Sequence, residues 1–195
     1  MNIVLASTSP IRKTILQNAG VRFESCNPQF DEEKANLEMK KFSAAALAQA
    51  LASAKSTSVS LLHPQALVIG ADQTLGFNDS VFDKPRSIPE ARQQLITLRN
   101  NTHNLYSALS CSIAGQPVWN HCDQATLSVR DFSDTFLDHY IATTGNSLLS
   151  SVGGYKLEEY GINLFKEVTG DYFTILGLPL LPLLAFLRQQ KYIPS

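Results

Sequence analysis

Five ionisable residues stand where side chains could act together on an anion: Arg12, Glu32, Lys55, Asp72 and Lys84. Each falls just beyond or beside an expected helix or strand, with cations and carboxylates mixed. Cleaving a phosphoanhydride needs that mixture. Carboxylates hold a hard divalent cation and orient or deprotonate a water, while Arg and Lys neutralise the phosphate oxygens and the leaving group. Spacing alone does not make these side chains converge, so the elements that carry them must.

The first such element runs over residues 3–16. Ile3-Val4-Leu5-Ala6 is an apolar run of the length a buried strand needs, followed by the hydroxyls Ser7, Thr8 and Ser9 and then Pro10. Ser9 is suited to be a helix N-cap, with Pro10 as the first helical residue, where its missing N–H costs nothing. Strand, hydroxyl-rich turn and helix N-terminus together make a phosphate site from backbone N–H groups and the positive end of the helix dipole. Arg12 and Lys13 have the wrong sign for that dipole, which an anionic ligand would explain. The competing reading is an ordinary turn with solvent-facing basic residues.

Residues 66–71 form the best buried-strand candidate and deliver Asp72-Gln73 directly beyond an apolar run. A carboxylate there is expensive unless it is paired, hydrogen-bonded or metal-bound. A turn-capping Asp is the competing reading. Ser43 caps a helix through about residue 60, which carries Lys55 late, beside small residues. Gly20 reads as the residue just past the first helix, with a strand over 21–25. Asn78-Asp79 marks a turn and residues 81–85 a returning arm. Ser87 caps a helix from about Pro89 to Leu98, with Glu90 completing a capping box. Two long strands near 103–113 and 117–130 follow, joined at 114–116, and their meander-like connection implies a mixed sheet. Ser133 caps the next helix, to about 142. Residues 153–156 form a turn, strands are expected near 163–168 and 172–176, and a terminal helix starts at Pro179.

The 195 residues suit one substantial domain or two small lobes sharing a core, and 44% hydrophobic with 17% charged residues reads as globular. A net charge of −1 argues against a general nucleic-acid binder, though not against a compact anion. Cys26, Cys111 and Cys122 form no C-x-x-C and leave an odd thiol, which fits reduced cysteines in the cytoplasm. The apolar run over 175–187 is too short, and too broken by glycine and proline, to cross a bilayer. No signal-peptide pattern opens the chain. The four histidines (63, 103, 121 and 139) lack metal-ligand spacing. Neither G-x-x-x-x-G-K-[ST], G-x-G-x-x-G nor G-x-S-x-G occurs.

Read in order, the landmarks are L-A-S-T-S-P-I-R (5–12), D-E-E (31–33), L-A-S-A-K (51–55), G-A-D-Q (70–73), D-K-P (83–85), E-A at Glu90 and G-D-Y-F-T-I-L-G-L-P-L (170–180). This series resembles the Maf family of nucleoside triphosphate pyrophosphatases over nearly the whole chain, as a single unit spanning residues 1–195. The resemblance implies an α/β fold, an elongated mixed sheet flanked by helices, with two lobes around a central cleft. It also implies hydrolysis of a nucleoside triphosphate to the monophosphate and pyrophosphate with Mg²⁺ or Mn²⁺, in a homodimer; the charge, the cysteines and the broken apolar run add the expectation of a cytoplasmic protein that binds neither nucleic acid nor membrane. On matching positions Asp72 becomes the general base or water-orienting carboxylate, with Glu32 beside it at the metal. Arg12, Lys55 and Lys84 become triphosphate ligands, with Ser9 giving helix-terminal contacts.

The chain departs from the family's usual S-P-R-R and A-D-T, with Ile11 before Arg12 and Gln73 after Asp72. Its A-D-Q and K-x-E-x-x-G-I-x-L-F look more like the branch associated with 7-methyl-GTP. Glu158 can only accept hydrogen bonds, which suits the N1–H and exocyclic amine of a guanine better than a uracil carbonyl. Gln73 and Glu158 therefore join the substrate-binding candidates. The alternative is a nucleotide-binding regulator of cell division, or septum formation, with little hydrolysis. A pure binder has no need of carboxylates beside a triphosphate, which they repel without a metal.

Overall fold

The computed structural model describes residues 2–28, 39 and 41–194; the acidic run 31–33, with Glu32, lies outside them. Its order is β1 (Ile3–Ala6), α1 (Pro10–Asn18), β2 (Glu24–Cys26), α2 (Ala44–Leu62), β3 (Leu67–Phe77), β4 (Ser80–Phe82), α3 (Ile88–Leu98), β5 (Thr102–Ile113), β6 (Gln116–Val129), α4 (Asp134–Thr144), β7 (Phe165–Thr169), α5 (Tyr172–Ile175) and α6 (Leu180–Gln189). Three 3₁₀ stretches lie between α4 and β7.

One seven-stranded sheet joins the strands in the order β2-β1-β3-β5-β6-β7, with β4 also on β3. β1 pairs parallel with β2 and β3, and the remaining pairs are antiparallel, so the sheet is mixed as its connections imply. Caps fall at the expected serines: Ser43, Ser87 and Ser133 each accept from the amide three residues on. The Glu90 carboxylate takes the Arg86 amide, one residue outside the expected box.

Two strand expectations give way. In the stretch 172–176, Tyr172–Ile175 are helical, because Asp171 caps the Thr174 amide and the short β-like run Y-F-T-I closes a single turn. In 21–25 only the last two residues reach a strand, Glu24–Cys26. A third expectation is lengthened: β3 does not stop at residue 71 but runs to Phe77, so Asp72 sits in mid-strand. Nine consecutive register pairs with β5, Val68 opposite Ser112 through Gly76 opposite Asn104, override the weak strand propensity of Asp, Gln and Gly.

The alternation of β3 sorts the layers. Leu67, Ile69 and Ala71 pack with Ile15, Leu16 and the buried leucines of α6 in one core, whereas Leu75 packs with Ala91, Leu95 and Leu98 of α3 in another. Gln73 lies between the two cores on that face. The opposite face carries α2, on a seam of small residues that includes Ala48, Ala52, Ala108 and Gly70. A Cβ on Gly70 would fall 2.2 Å from the Ala52 carbonyl oxygen and 2.7 Å from the Ser56 nitrogen, so only glycine lets α2 approach this closely. Ser56 then shares hydroxyl bonds with Ser110 (3.1 Å) and Ser112 (2.7 Å) of β5.

In the second core His103 is buried, with Nε2 2.6 Å from the Tyr155 hydroxyl. Nδ1 has no partner among the described residues. Burial lowers its pKa from 6.5 to about 4. The unfolded chain therefore binds the proton first, and the stability His103 confers is present above pH 6.5 and lost as pH falls towards 4. Urea titrations should show a stability slope approaching about 1.4 kcal/mol per pH unit in that window, flattened in His103→Gln. Gly70→Ala should lower stability by about 3 kcal/mol through overpacking, measured as a fall in the urea midpoint.

Candidate active site

The edge of β3 that faces β1 is broken. β1 covers Leu67 to Gly70 and β4 covers Leu75 to Phe77, so residues 71–74 have no strand on that edge among the described residues. β5 continues unbroken along the other edge. A notch thus opens in the middle of the sheet. The turn Ser7-Thr8-Ser9 and the start of α1 border it where β1 ends, and Lys84 lies two residues past the end of β4.

Asp72 occupies this stretch and faces α2. It is 6% exposed and forms a direct ion pair with Lys55, itself 7% exposed. The Lys55 Nζ donates to Asp72 Oδ1. The pair exists because the glycine seam brings the helix down onto the strand two residues before Asp72. On the same face the Thr74 hydroxyl donates to the Ala44 carbonyl at 2.7 Å, tying the N-terminus of α2 to the strand.

Ser9 occupies the N-cap of α1, but its side chain makes no capping hydrogen bond, and its own amide donates to the Ser7 hydroxyl at 3.2 Å. The helix end is therefore not closed by its cap residue, which leaves its donors directed outward. Ile11 packs against the first core, so the position that differs from the family's usual arginine is used for apolar contact.

Arg12 reaches inward: Nε donates to the Gly177 carbonyl at 2.8 Å and Nη1 to the Ala71 carbonyl at 2.9 Å. Gln73 turns to the face opposite Asp72, where Nε2 donates to the Ser107 hydroxyl (2.9 Å) and to the carbonyls of Thr174 (3.1 Å) and Ile175 (2.9 Å). Ser107, fully buried, donates to the same Thr174 carbonyl at 2.6 Å. Ser107 has no signal in the sequence, since a strand serine reads as surface until α5 is known to cross it. Lys84 and Glu158 are exposed, Glu158 on a turn after the buried Tyr155 and Leu157.

The structure brings Lys55 and Asp72 into contact, places Arg12 against the strand that carries Asp72, and sets Ser9 and Lys84 at the ends of the strands that flank the notch. Glu158 lies exposed next to Leu157 of the second core, away from this group, and Glu32 lies outside the described residues. Among the described residues no three His, Cys, Asp or Glu side chains group as a metal cage. A buried carboxylate still fits a hard cation, because Mg²⁺ is commonly held by one or two carboxylates together with the phosphates of a bound nucleotide. The three cysteines are free thiols, and among the described residues no helix is long and apolar enough to cross a membrane.

A family model described as Maf-like protein matches residues 2–190. A nucleoside triphosphate pyrophosphatase of Caulobacter vibrioides is 50% identical over 188 residues, covering 95% of this chain and 94% of that protein. A 7-methyl-GTP pyrophosphatase of Brucella abortus is 44% identical over 195 residues, covering 99% and 98% respectively. Among solved structures, a nucleoside-triphosphatase (dITP/XTP pyrophosphatase) of Mycobacterium abscessus is similar with a TM-score of 0.43 at 14% identity, covering 77% of this chain and 97% of that one. With nearly every residue matched by the family model and by both relatives, the chain belongs to the Maf-like protein family.

Proposed function

We propose that the chain hydrolyses a nucleoside triphosphate to the monophosphate and pyrophosphate. The observation that carries this reading is the notch in the edge of β3, with the Lys55–Asp72 pair buried behind it and a helix N-terminus and Lys84 at its borders. Relatives of 44–50% identity named as pyrophosphatases support it.

In this reading Asp72 orients a water and accepts its proton as the oxygen attacks the α-phosphorus. The bond from that phosphorus to the α,β-bridging oxygen breaks, and pyrophosphate leaves. Lys55 holds Oδ1 of Asp72, which fixes the direction of the carboxylate, and also lies within the field of the phosphates. Lys84, the Ser9 hydroxyl and the amides that follow Pro10 in α1 neutralise the phosphate oxygens. Asp72, with Glu32, would hold a divalent cation, Mg²⁺ or Mn²⁺, whose charge offsets that of the phosphates when bound. The homodimer that the family resemblance implies, in the cytoplasm, is part of the same reading, and light scattering of the purified chain measures its assembly.

For the base we propose a guanine, with 7-methyl-GTP as the first candidate. Glu158 accepts from N1–H and the exocyclic amine, and the name of the Brucella relative supports that choice.

Pyrophosphate release should be followed over 7-methyl-GTP, dTTP, UTP and the standard triphosphates, with Mg²⁺ or Mn²⁺. Asp72→Asn should lower kcat for the preferred substrate by about 100-fold or more while the chain stays folded. Near-full turnover in that variant would remove Asp72 from the reaction, and no turnover of any triphosphate by the wild type would remove the reaction itself. Glu158→Gln should lower kcat/KM for a guanine substrate by about tenfold relative to UTP, read as a selectivity ratio; an unchanged ratio would show that Glu158 does not read the base.

A further inference from the structure

The guanidinium of Arg12 lies at the notch but is turned into the protein. The carbonyl of Ala71, which takes Nη1, belongs to the stretch of β3 edge that neither β1 nor β4 pairs. The carbonyl of Gly177, which takes Nε, follows α5. Gly177 has φ +90°, and a Cβ there would come within 3.2 Å of Arg12 Nη2 and 3.4 Å of Nε. The backbone at 177 is therefore shaped so that the guanidinium can lie against it.

The peptide neighbours of Asp72 are thus fastened to one and the same segment. Ala71 is joined through Arg12 to Gly177, and Gln73 through its own amide to Thr174 and Ile175. Where β3 has a partner strand on one edge only, these fasteners stand in for the missing ladder. A planar fork spans two carbonyls in a fixed geometry; a lysine ammonium is a compact charge whose three donors rotate on a flexible stem.

We infer that Arg12 is a positioning residue for Asp72, a splint across the break in the sheet, and not primarily a ligand of the triphosphate. The inference rests on the pyrophosphatase reading. A carboxylate that must meet a water at the α-phosphorus is sensitive to displacement, and a misplacement of about 1 Å can cost about 100-fold in rate. Arg12 would act on turnover through the position of Asp72 and leave substrate affinity largely untouched.

Steady-state pyrophosphate release by two variants of the full chain tests this. Arg12→Lys keeps the charge and loses the fork; Gly177→Ala keeps Arg12 and intrudes on its seat. Each should lower kcat by about 30-fold with KM for the triphosphate within about twofold of wild type. A KM increase larger than the kcat loss in Arg12→Lys would make Arg12 a phosphate ligand and overturn the inference, as would wild-type kcat in Gly177→Ala. Should Gly177→Ala not fold, Arg12→Lys decides alone. Hydrogen exchange supplies a readout independent of turnover. The amides of Gly177 and Leu178, bonded to the Thr174 and Phe173 carbonyls, should exchange about tenfold faster in Arg12→Lys, with those of β5 and β6 unchanged. Unaltered exchange would overturn the splint even if the wild type turned over no triphosphate, a result that would count instead against the pyrophosphatase reading.

Discussion

An ammonium and a carboxylate held out of water set the terms for the rest of this molecule. The side chains of Lys55 and Asp72 are 9% and 8% exposed, and stripping water from each costs several kcal/mol that their mutual attraction offsets only at close range. Close range here means a helix pressed onto a sheet. Hence the seam of Ala48, Ala52, Ala108 and Gly70, and hence serines in place of leucines where α2 meets β5. A larger apolar interface would contribute more burial but would lift Nζ away from Oδ1. The seam yields some hydrophobic stabilisation for the sake of one ion pair.

The second constraint is that the strand carrying Asp72 belongs to two cores at once. Leu67, Ile69 and Ala71 serve one and Leu75 the other, so the stretch between them has apolar support from neither on its own. That stretch is also where one edge loses its neighbour strand. Polar side chains replace both kinds of support. Gln73 and Ser107 bridge to α5 on one face, Asp72 and Thr74 bond to Lys55 and Ala44 of α2 on the other, and Arg12 occupies the edge. The orphan carbonyls after α5 are satisfied by the same bonds. A break in the sheet beside a buried carboxylate is thereby compatible with a fixed backbone.

Much of this was legible beforehand because it rests on local rules. Serine caps at 43, 87 and 133, the turn at Asn78-Asp79 and the glycine after α1 are properties of a few adjacent residues, and all stand where the chain implies. What local rules could not supply was the continuation of β3 through Asp-Gln-Thr, which depends on the partner residues Ala108, Ser107 and Tyr106 of a strand distant in sequence. The helical turn at 172–175 was missed for a related reason: four residues of aromatic and β-branched type suit either state, and Asp171 decides between them. Of the candidate site, Lys55 and Asp72 could be named from chain order but their contact could not. That Arg12 and Gln73 grip backbone carbonyls was hidden entirely, since nothing in their neighbours' identities says which way a side chain turns.

The electrostatics of the notch then follow from which charges are already spent. Lys55 and Asp72 cancel each other, and Arg12 is committed to carbonyl dipoles. In the proposed reading, what draws a triphosphate inward among the described residues lies outside that set: Lys84, exposed at the border, and the start of α1, whose cap residue leaves it open. Neither matches the charge of a triphosphate, and exposed cations are screened within about 10 Å at ordinary ionic strength. In that reading a divalent cation arriving with the nucleotide would make up the difference, next to a buried carboxylate that a lysine already orients. On this account the ion pair is not a resting form of the site that substrate must break. It is the arrangement that keeps Asp72 aimed while the charge it needs comes in with the substrate.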